Sequence, residues 1–312
     1  MKMSIKVGLI LYSVRDEMAK DPLQTVETVG KLGYRYLEAC NHNAIKDSGI
    51  GFGVDAEDVK AKLDQYGSRV ISSHIFPFEM ADLAKVIAYQ KVLGNENIVI
   101  PMGRFTTYDE MMRLTEDFNR WGKACRAEGK TLLYHNHEQE YRNFKGKNIL
   151  DYIVENTDPD NLSLELDTFW TMRAGCDPVE KLRHFGHRVK LIHQKDFAWD
   201  AMVPINLVGL TDDDREMKPG DEYGIDGKSF YAQNPDQRPA ATRIRDAEMK
   251  NTAFTEIGTG IMPIQAIIDA ANSYTAAEYI ILEQDYTHMN SQIESIEKSM
   301  SAFKKYTGIS WM

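Results

Sequence analysis

Cysteine is scarce in this 312-residue chain, and its three residues rule out two common uses of the side chain. Cys40, Cys125 and Cys176 are odd in number, far apart and without C-x-x-C spacing, which excludes a disulfide framework and a zinc knuckle. Excess positive charge is also missing. The formal net charge of −10 is the opposite of the basic stripe needed to release counterions from nucleic-acid phosphates. No apolar run reaches membrane-spanning length, and the first residues enter a strand-like stretch without a signal-peptide apolar region. A cytoplasmic protein with no nucleic-acid and no membrane partner is therefore expected.

What is present is enough apolar residue, 43% of the chain, to bury a full globular core. Short β-branched and apolar runs recur through the sequence, each followed by a stretch of helical period. This is the signature of repeated βα units on a parallel sheet. Strands are predicted at 7–11, 34–39, 70–73, 97–100, 131–134, 162–166, 189–192 and 279–282, and eight such strands suit a closed (β/α)8 TIM barrel of class α/β. The helices carry their own punctuation. Asp21-Pro22 opens one that Gly33 closes, Thr107 and Glu110 form a capping box, and Asp177-Pro178 opens another that ends at Gly186. Gly49-Ile50-Gly51-Phe52-Gly53 reads as a loop, because it does not join a strand to a helix at dinucleotide-binding spacing. The whole of 1–312 reads as a single domain. One long insertion between the seventh and eighth strands, about 197–251, contains Trp199, Phe230 and Tyr231 and is expected to lie over the C-terminal mouth.

Four consecutive strands end in ligand-type side chains: Tyr134-His135-Asn136-His137, Glu165-Leu166-Asp167, His193-Gln194-Lys195-Asp196 and Leu282-Glu283-Gln284-Asp285. In a barrel these ends converge on one mouth. A lone His or Asp at a strand end is more often a satisfied hydrogen-bonding residue than a ligand. Four in succession would need four separate local reasons for polar groups at the mouth of an apolar barrel. His135, Asp167, His193 and Glu283, one per strand, make a mixed nitrogen and oxygen set for a divalent ion. Mn²⁺ suits it best, with Mg²⁺, Zn²⁺, Co²⁺ or Fe²⁺ as alternatives.

His137 shares the strand parity of His135 and lies further out, the place for a proton-transferring base, although the two histidines can exchange roles. Lys195 shares parity with His193 and can supply positive charge to a developing enolate; a solvated or ion-paired rim lysine is the plainer alternative. Tyr12, Arg15 and His74 are candidates to hydrogen-bond sugar hydroxyls, and His74 can equally serve as a cap. Trp170 can stack on a sugar or aromatic face, against the commoner role of a core aromatic under a loop.

The first-strand phrase Gly8-Leu9-Ile10-Leu11-Tyr12-Ser13-Val14-Arg15-Asp16, followed by these strand ends, resembles the xylose-isomerase-like barrel superfamily of sugar isomerases and epimerases across essentially the whole chain. Within it, Tyr134–His137, the segment 165–175 and His193-Gln194-Lys195-Asp196-Phe197-Ala198-Trp199-Asp200 look like the catalytic α subunit of bacterial C-glycoside deglycosidases. The resemblance implies a metal held by strands five to eight and a neighbouring histidine base. It also implies a 3-oxo aromatic (flavonoid) C-glycoside as the small-molecule substrate, cleaved by C2 proton abstraction and loss of the aglycone. A smaller β subunit is implied as partner, with 197–251 as its candidate surface. Many epimerases of the superfamily have glutamate where this chain has His135, which makes Glu138 and Glu140 substitute ligands. The same enediolate chemistry also serves a keto-sugar isomerase or epimerase and a keto-inositol dehydratase. An abasic-DNA endonuclease conflicts with the acidic charge. A non-catalytic sugar-binding subunit conflicts with the retained ligand-type residues.

Overall fold

In the computed structural model, described for residues 4–103, 107–144, 146–198 and 253–311, eight parallel strands close into a barrel. They are β1 (Ile5–Ile10), β2 (Tyr36–Asn41), β3 (Arg69–Ile75), β4 (Asn97–Ile100), β5 (Thr131–His135), β6 (Ser163–Asp167), β7 (Val189–Gln194) and β8 (Tyr279–Leu282). Each pairs with the next, and β8 closes on β1 through Lys6 opposite Tyr279 and Leu9 opposite Leu282. A short strand, Ile309–Ser310, adds to the outer start of β1. Most strands extend past their predicted apolar run, because backbone pairing continues through polar residues such as His74, His135, Asp167 and His193. Apolar composition marks only the buried lower part of a strand that faces polar space at its top.

Helices cover the outside for the reasons legible in their termini. Asp21 accepts from the Gln24 N–H ahead of Pro22, and Gly33 ends that helix at φ 108°. Thr107 and Glu110 form the reciprocal cap of α5 (Tyr108–Ala127), the fifth of the longer helices, and Asp177 accepts from the Val179 and Glu180 N–H groups ahead of Pro178. Gly122 lets α5 lie close against a loop, since a Cβ there would stand 1.9 Å from the Asn161 carbonyl oxygen. Among the described residues no helix is long and apolar enough to cross a membrane.

The apolar residues divide into two groups. A large one packs strands against helices, and a smaller one, including Ile10, Ile71, Val99, Leu133, Leu191 and Ile281, fills the barrel interior. Two register shifts decide who faces inward. Leu37 pairs with Val70 but Glu38 with Ser72, and Leu164 pairs with Val189 but Glu165 with Leu191. Each shift inserts one residue and reverses the alternation of β3 or β7. Val70 and Val189 face the helices, yet His74 and His193 face the barrel axis.

The stretch 199–252, which carries most of the predicted insertion and its Trp199, Phe230 and Tyr231, lies outside the described residues. Its flanks are joined: Asp196–Phe197 pairs antiparallel with Phe254–Thr255. The Asp196 carboxylate accepts from the backbone N–H groups of Phe197, Gly258, Gly260 and Met262 at 2.8–3.0 Å. Gly260 permits this knot, because a Cβ there would meet the Phe197 carbonyl at 2.1 Å.

Candidate metal centre at the C-terminal mouth

Above the apolar interior layer the barrel becomes charged and remains buried. Glu38 of β2, His74 of β3, His135 of β5, Glu165 and Asp167 of β6, and His193 of β7 are all at most 4% exposed. A polar group this deep survives only with partners, and here they form two layers.

In the lower layer His74 Nε2 lies 2.8 Å from Glu38 Oε1 and 2.7 Å from Glu165 Oε2. His193 Nε2 reaches Glu38 Oε2 at 2.8 Å, and His135 Nδ1 reaches Glu165 Oε2 at 3.2 Å. In the upper layer His193 Nδ1 meets Glu283 Oε2 at 2.8 Å, and His135 Nε2 faces Asp167 Oδ2 at 3.9 Å. Asp167 spends Oδ1 on the Trp170 N–H at the start of the short helix Thr168–Arg173, so only Oδ2 turns to the mouth. Lys195 closes this layer, its Nζ 2.7 Å from Glu283, 3.2 Å from Asp167 and 3.2 Å from Asp285.

Burial and charge set the protonation of these groups. Burial opposes the cationic form of His74 and His193, but Glu38 and Glu165 outweigh it and hold both well above the ordinary histidine range. His135 goes the other way: burial, with the neighbouring His193 and His74, drives it to about 3 and leaves it a neutral imidazole at pH 7. Burial also works against the Lys195 ammonium, and Asp167, Asp285 and Glu283 overcome it, so the lysine stays charged. Burial raises Asp285 to about 7, with Lys195 pulling the other way and Glu283 adding to the rise.

A cavity of about 470 Å³ opens over the upper layer. Its polar side includes His135, His137, Lys195, Glu283 and Asp285, and its apolar side Phe76, Pro101, Met102, Trp170 and Phe254. Tyr12 and Arg15 line it too. Arg15 Nη2 donates to the Asp285 carbonyl at 2.6 Å, and its guanidinium lies 4.5 Å from the Tyr12 ring centre. The structure thus places the sequence-predicted site residues at one end of the barrel, Asp167 and His193 beneath the cavity and the others along it, with two refinements. His74 touches the cavity, but its Nε2 is committed to Glu38 and Glu165, so it is less a sugar-binding group than a bridge between two buried carboxylates. His137 follows β5 at the start of a short 3-10 turn, Glu138–Tyr141, its backbone N–H donating to Glu140 Oε2 at 2.7 Å.

The donor set fits a divalent ion. Ligand atoms of Asp167, His193 and Glu283 lie within 4.8 Å of one another, as do those of His74, His135, Glu165 and His193. Glu165 Oε1 is a buried carboxylate oxygen without a hydrogen bond among the described residues, and Asp167 Oδ2 has the Lys195 ammonium at 3.2 Å as an ion-pair partner. Neither Glu138 nor Glu140 belongs to these groups; Glu140 accepts from Tyr134 Oη at 2.6 Å and from the His137 N–H at 2.7 Å.

Glu38 escapes a reading of the sequence, and Glu165, though part of a ligand-type strand end, receives no role there. Glu165 stands two residues before Asp167 in one strand, so period-two alternation places both on the same face. Glu38 interrupts the apolar run Tyr36-Leu37-Glu38-Ala39-Cys40, a charge inside a strand whose neighbours are all buried.

The model of the xylose isomerase-like TIM barrel family matches residues 26–306. The chain belongs to this family. Inosose dehydratase of Geobacillus kaustophilus (strain HTA426) is 25% identical over 205 residues, 57% of this chain and 63% of that enzyme, so this chain spans less than two thirds of that relative. A sugar phosphate isomerase/epimerase structure from Parabacteroides distasonis ATCC 8503 superposes with a TM-score of 0.69 at 22% identity, covering 98% of this chain and 96% of the other. The IOLI protein, solved with a bound zinc atom, covers 96% of this chain and 97% of its own length at 13% identity and a TM-score of 0.63. At those identities the two structures establish the barrel.

Proposed function

We propose that this chain is a divalent-metal-dependent lyase acting on a cyclic keto-polyol, with dehydration of a keto-inositol as the leading reaction. The observation that carries this reading is that His137, the Lys195 ammonium and Glu283 line one cavity, with Asp167 and His193 grouped against Glu283 directly beneath it. The inosose dehydratase relative supports the substrate class. His135, Asp167, His193 and Glu283 would hold the ion, with Mn²⁺ the best match to two imidazoles and two carboxylates. Bound there, a divalent ion supplies Lewis acidity toward a carbonyl and an adjacent hydroxyl oxygen.

The residues supply the rest. His137, at the cavity wall, takes the proton from the carbon next to the carbonyl. Lys195 holds positive charge where the enediolate oxygen develops. Tyr12 and Arg15 orient hydroxyls. When electron density returns from the enediolate, the substituent on the next carbon leaves with its bonding pair. If that substituent is hydroxyl, it departs as water after taking up a proton, and the resulting enol relaxes to a dicarbonyl. Returning the first proton to the opposite face instead gives an epimer.

A second reading is favoured by the apolar wall of Phe76, Pro101, Met102, Trp170 and Phe254, more than a bare polyol needs. The same enediolate, formed from a 3-oxo aromatic C-glycoside, would expel an electron-rich aromatic ring that accepts a proton at the departing carbon. The smaller β subunit implied by the C-glycoside resemblance belongs to this reading.

The test is incubation of Mn²⁺-loaded protein with a keto-inositol in D₂O, followed by proton NMR. Loss of the α-proton signal with a dehydrated product supports the leading reading. A parallel incubation with a 3-oxo C-glucoside asks for free aglycone by chromatography; its release would move the assignment to C–C cleavage. Absence of α-proton exchange in both substrates would remove enolisation altogether.

A further inference from the structure

We infer that Glu38 and Glu165, bridged by His74, are positioning residues that fix which nitrogen each histidine presents to the ion, His135 by Nε2 and His193 by Nδ1. This rests on the metal-dependent reading above and extends it to a layer of the barrel that no ligand assignment reaches.

The geometry is directional. Each of the two histidines points one ring nitrogen down at a lower carboxylate and the other up at the mouth. His193 has Glu38 2.8 Å from Nε2 and Glu283 2.8 Å from Nδ1. His135 has Glu165 3.2 Å from Nδ1 and Asp167 3.9 Å from Nε2. An imidazole whose one nitrogen carries a proton shared with a carboxylate keeps the lone pair of the other free for a cation, and its ring cannot rotate away. The lower carboxylates need holding in turn. His74 spans them, 2.8 Å from Glu38 and 2.7 Å from Glu165, with its ring stacked parallel to that of His193 at 5.3 Å. Both glutamates are fully buried, so water cannot replace them in this role. Neither lines the cavity, so neither is placed to touch a substrate there.

The reciprocal possibility is an ion seated lower, among His74, His135, Glu165 and His193. The two arrangements use opposite nitrogens of both histidines, and this makes them separable. In ¹⁵N-histidine-labelled protein loaded with Zn²⁺, long-range ¹H–¹⁵N correlation spectra should show His135 ligated through Nε2 and His193 through Nδ1. The opposite pattern would overturn the inference, and it requires no variant to fold.

Mn²⁺ affinity measured by equilibrium dialysis gives the second arm. Glu38→Gln and Glu165→Gln should weaken binding roughly 10–100-fold while leaving one ion bound at saturation. Asp167→Asn and Glu283→Gln should reduce binding far more. Unchanged affinity in the first pair, with loss in the second, defeats the positioning role alone. Unchanged affinity in the second pair, with loss in Glu165→Gln, defeats the upper site and with it the metal assignment on which the proposed function stands.

Discussion

Lys195 places its ammonium 2.7 Å from the Glu283 carboxylate, with the carboxylates of Asp167 and Asp285 each 3.2 Å away on the same nitrogen. A single buried cation thus pairs with three converging acids at the barrel mouth. Lys195→Met removes the ammonium that these carboxylates share. In the metal-free protein it is expected to cost about 3–5 kcal/mol, measured by urea unfolding. Added Mn²⁺ should recover part of that loss, and kcat should stay depressed roughly 10²–10³-fold because the fixed charge on the developing enediolate is gone. Wild-type stability in the metal-free variant would contradict this account of the cluster.

His137 lines the cavity beside His135, their ring centres 4.9 Å apart, but lies outside both groups of potential metal ligands. Replacement by Ala should lower turnover roughly 10²–10⁴-fold with the ion still bound. Atomic absorption on the dialysed variant checks it: loss of metal along with activity would show that the two histidines had been given each other's roles.

Cys40 lines the same cavity with its Sγ 3.3 Å from His42 Nε2. Burial favours the thiol, but His42 and His74 outweigh burial and bring its pKa down to about 7. The sign is therefore that of a lowered acid: thiolate predominates above pH 7 and disappears below it. Burial sends Cys125 to about 12. Iodoacetamide should label Cys40 first, at a rate rising through pH 7, and leave Cys125 untouched up to pH 9 in the native protein. Peptide mapping that found Cys125 modified as early as Cys40 would overturn the prediction.

Gly122 sits mid-helix, where propensity alone gives Ala an advantage of about 1 kcal/mol. The Asn161 carbonyl 1.9 Å from the would-be Cβ reverses that sign. Gly122→Ala should lower Tm, with an overpacking cost of about 1–3 kcal/mol, and a rise in Tm would show that the loop yields without strain.

Sequence by itself determined the eight strands, the capped helices and the presence of His135, Asp167, His193 and Glu283 at consecutive strand ends, because hydrophobic period, cap chemistry and strand-end position are local properties. It placed Lys195 and His137 near the same mouth by parity within one strand. Only the tertiary structure decided which side chains share the axis. One inserted residue in β3 and another in β7 reverse the alternation, turning His74 and His193 inward where counting from Val70 or Val189 points them at the helices. Glu38 illustrates the limit most plainly. Nothing near it in sequence hints at a partner, and it meets His193, 155 positions away, because closing the barrel brings β2 and β7 to a common interior. A buried charge is stable only with such partners, and their identity is a property of the closed sheet, which no local pattern along the chain contains.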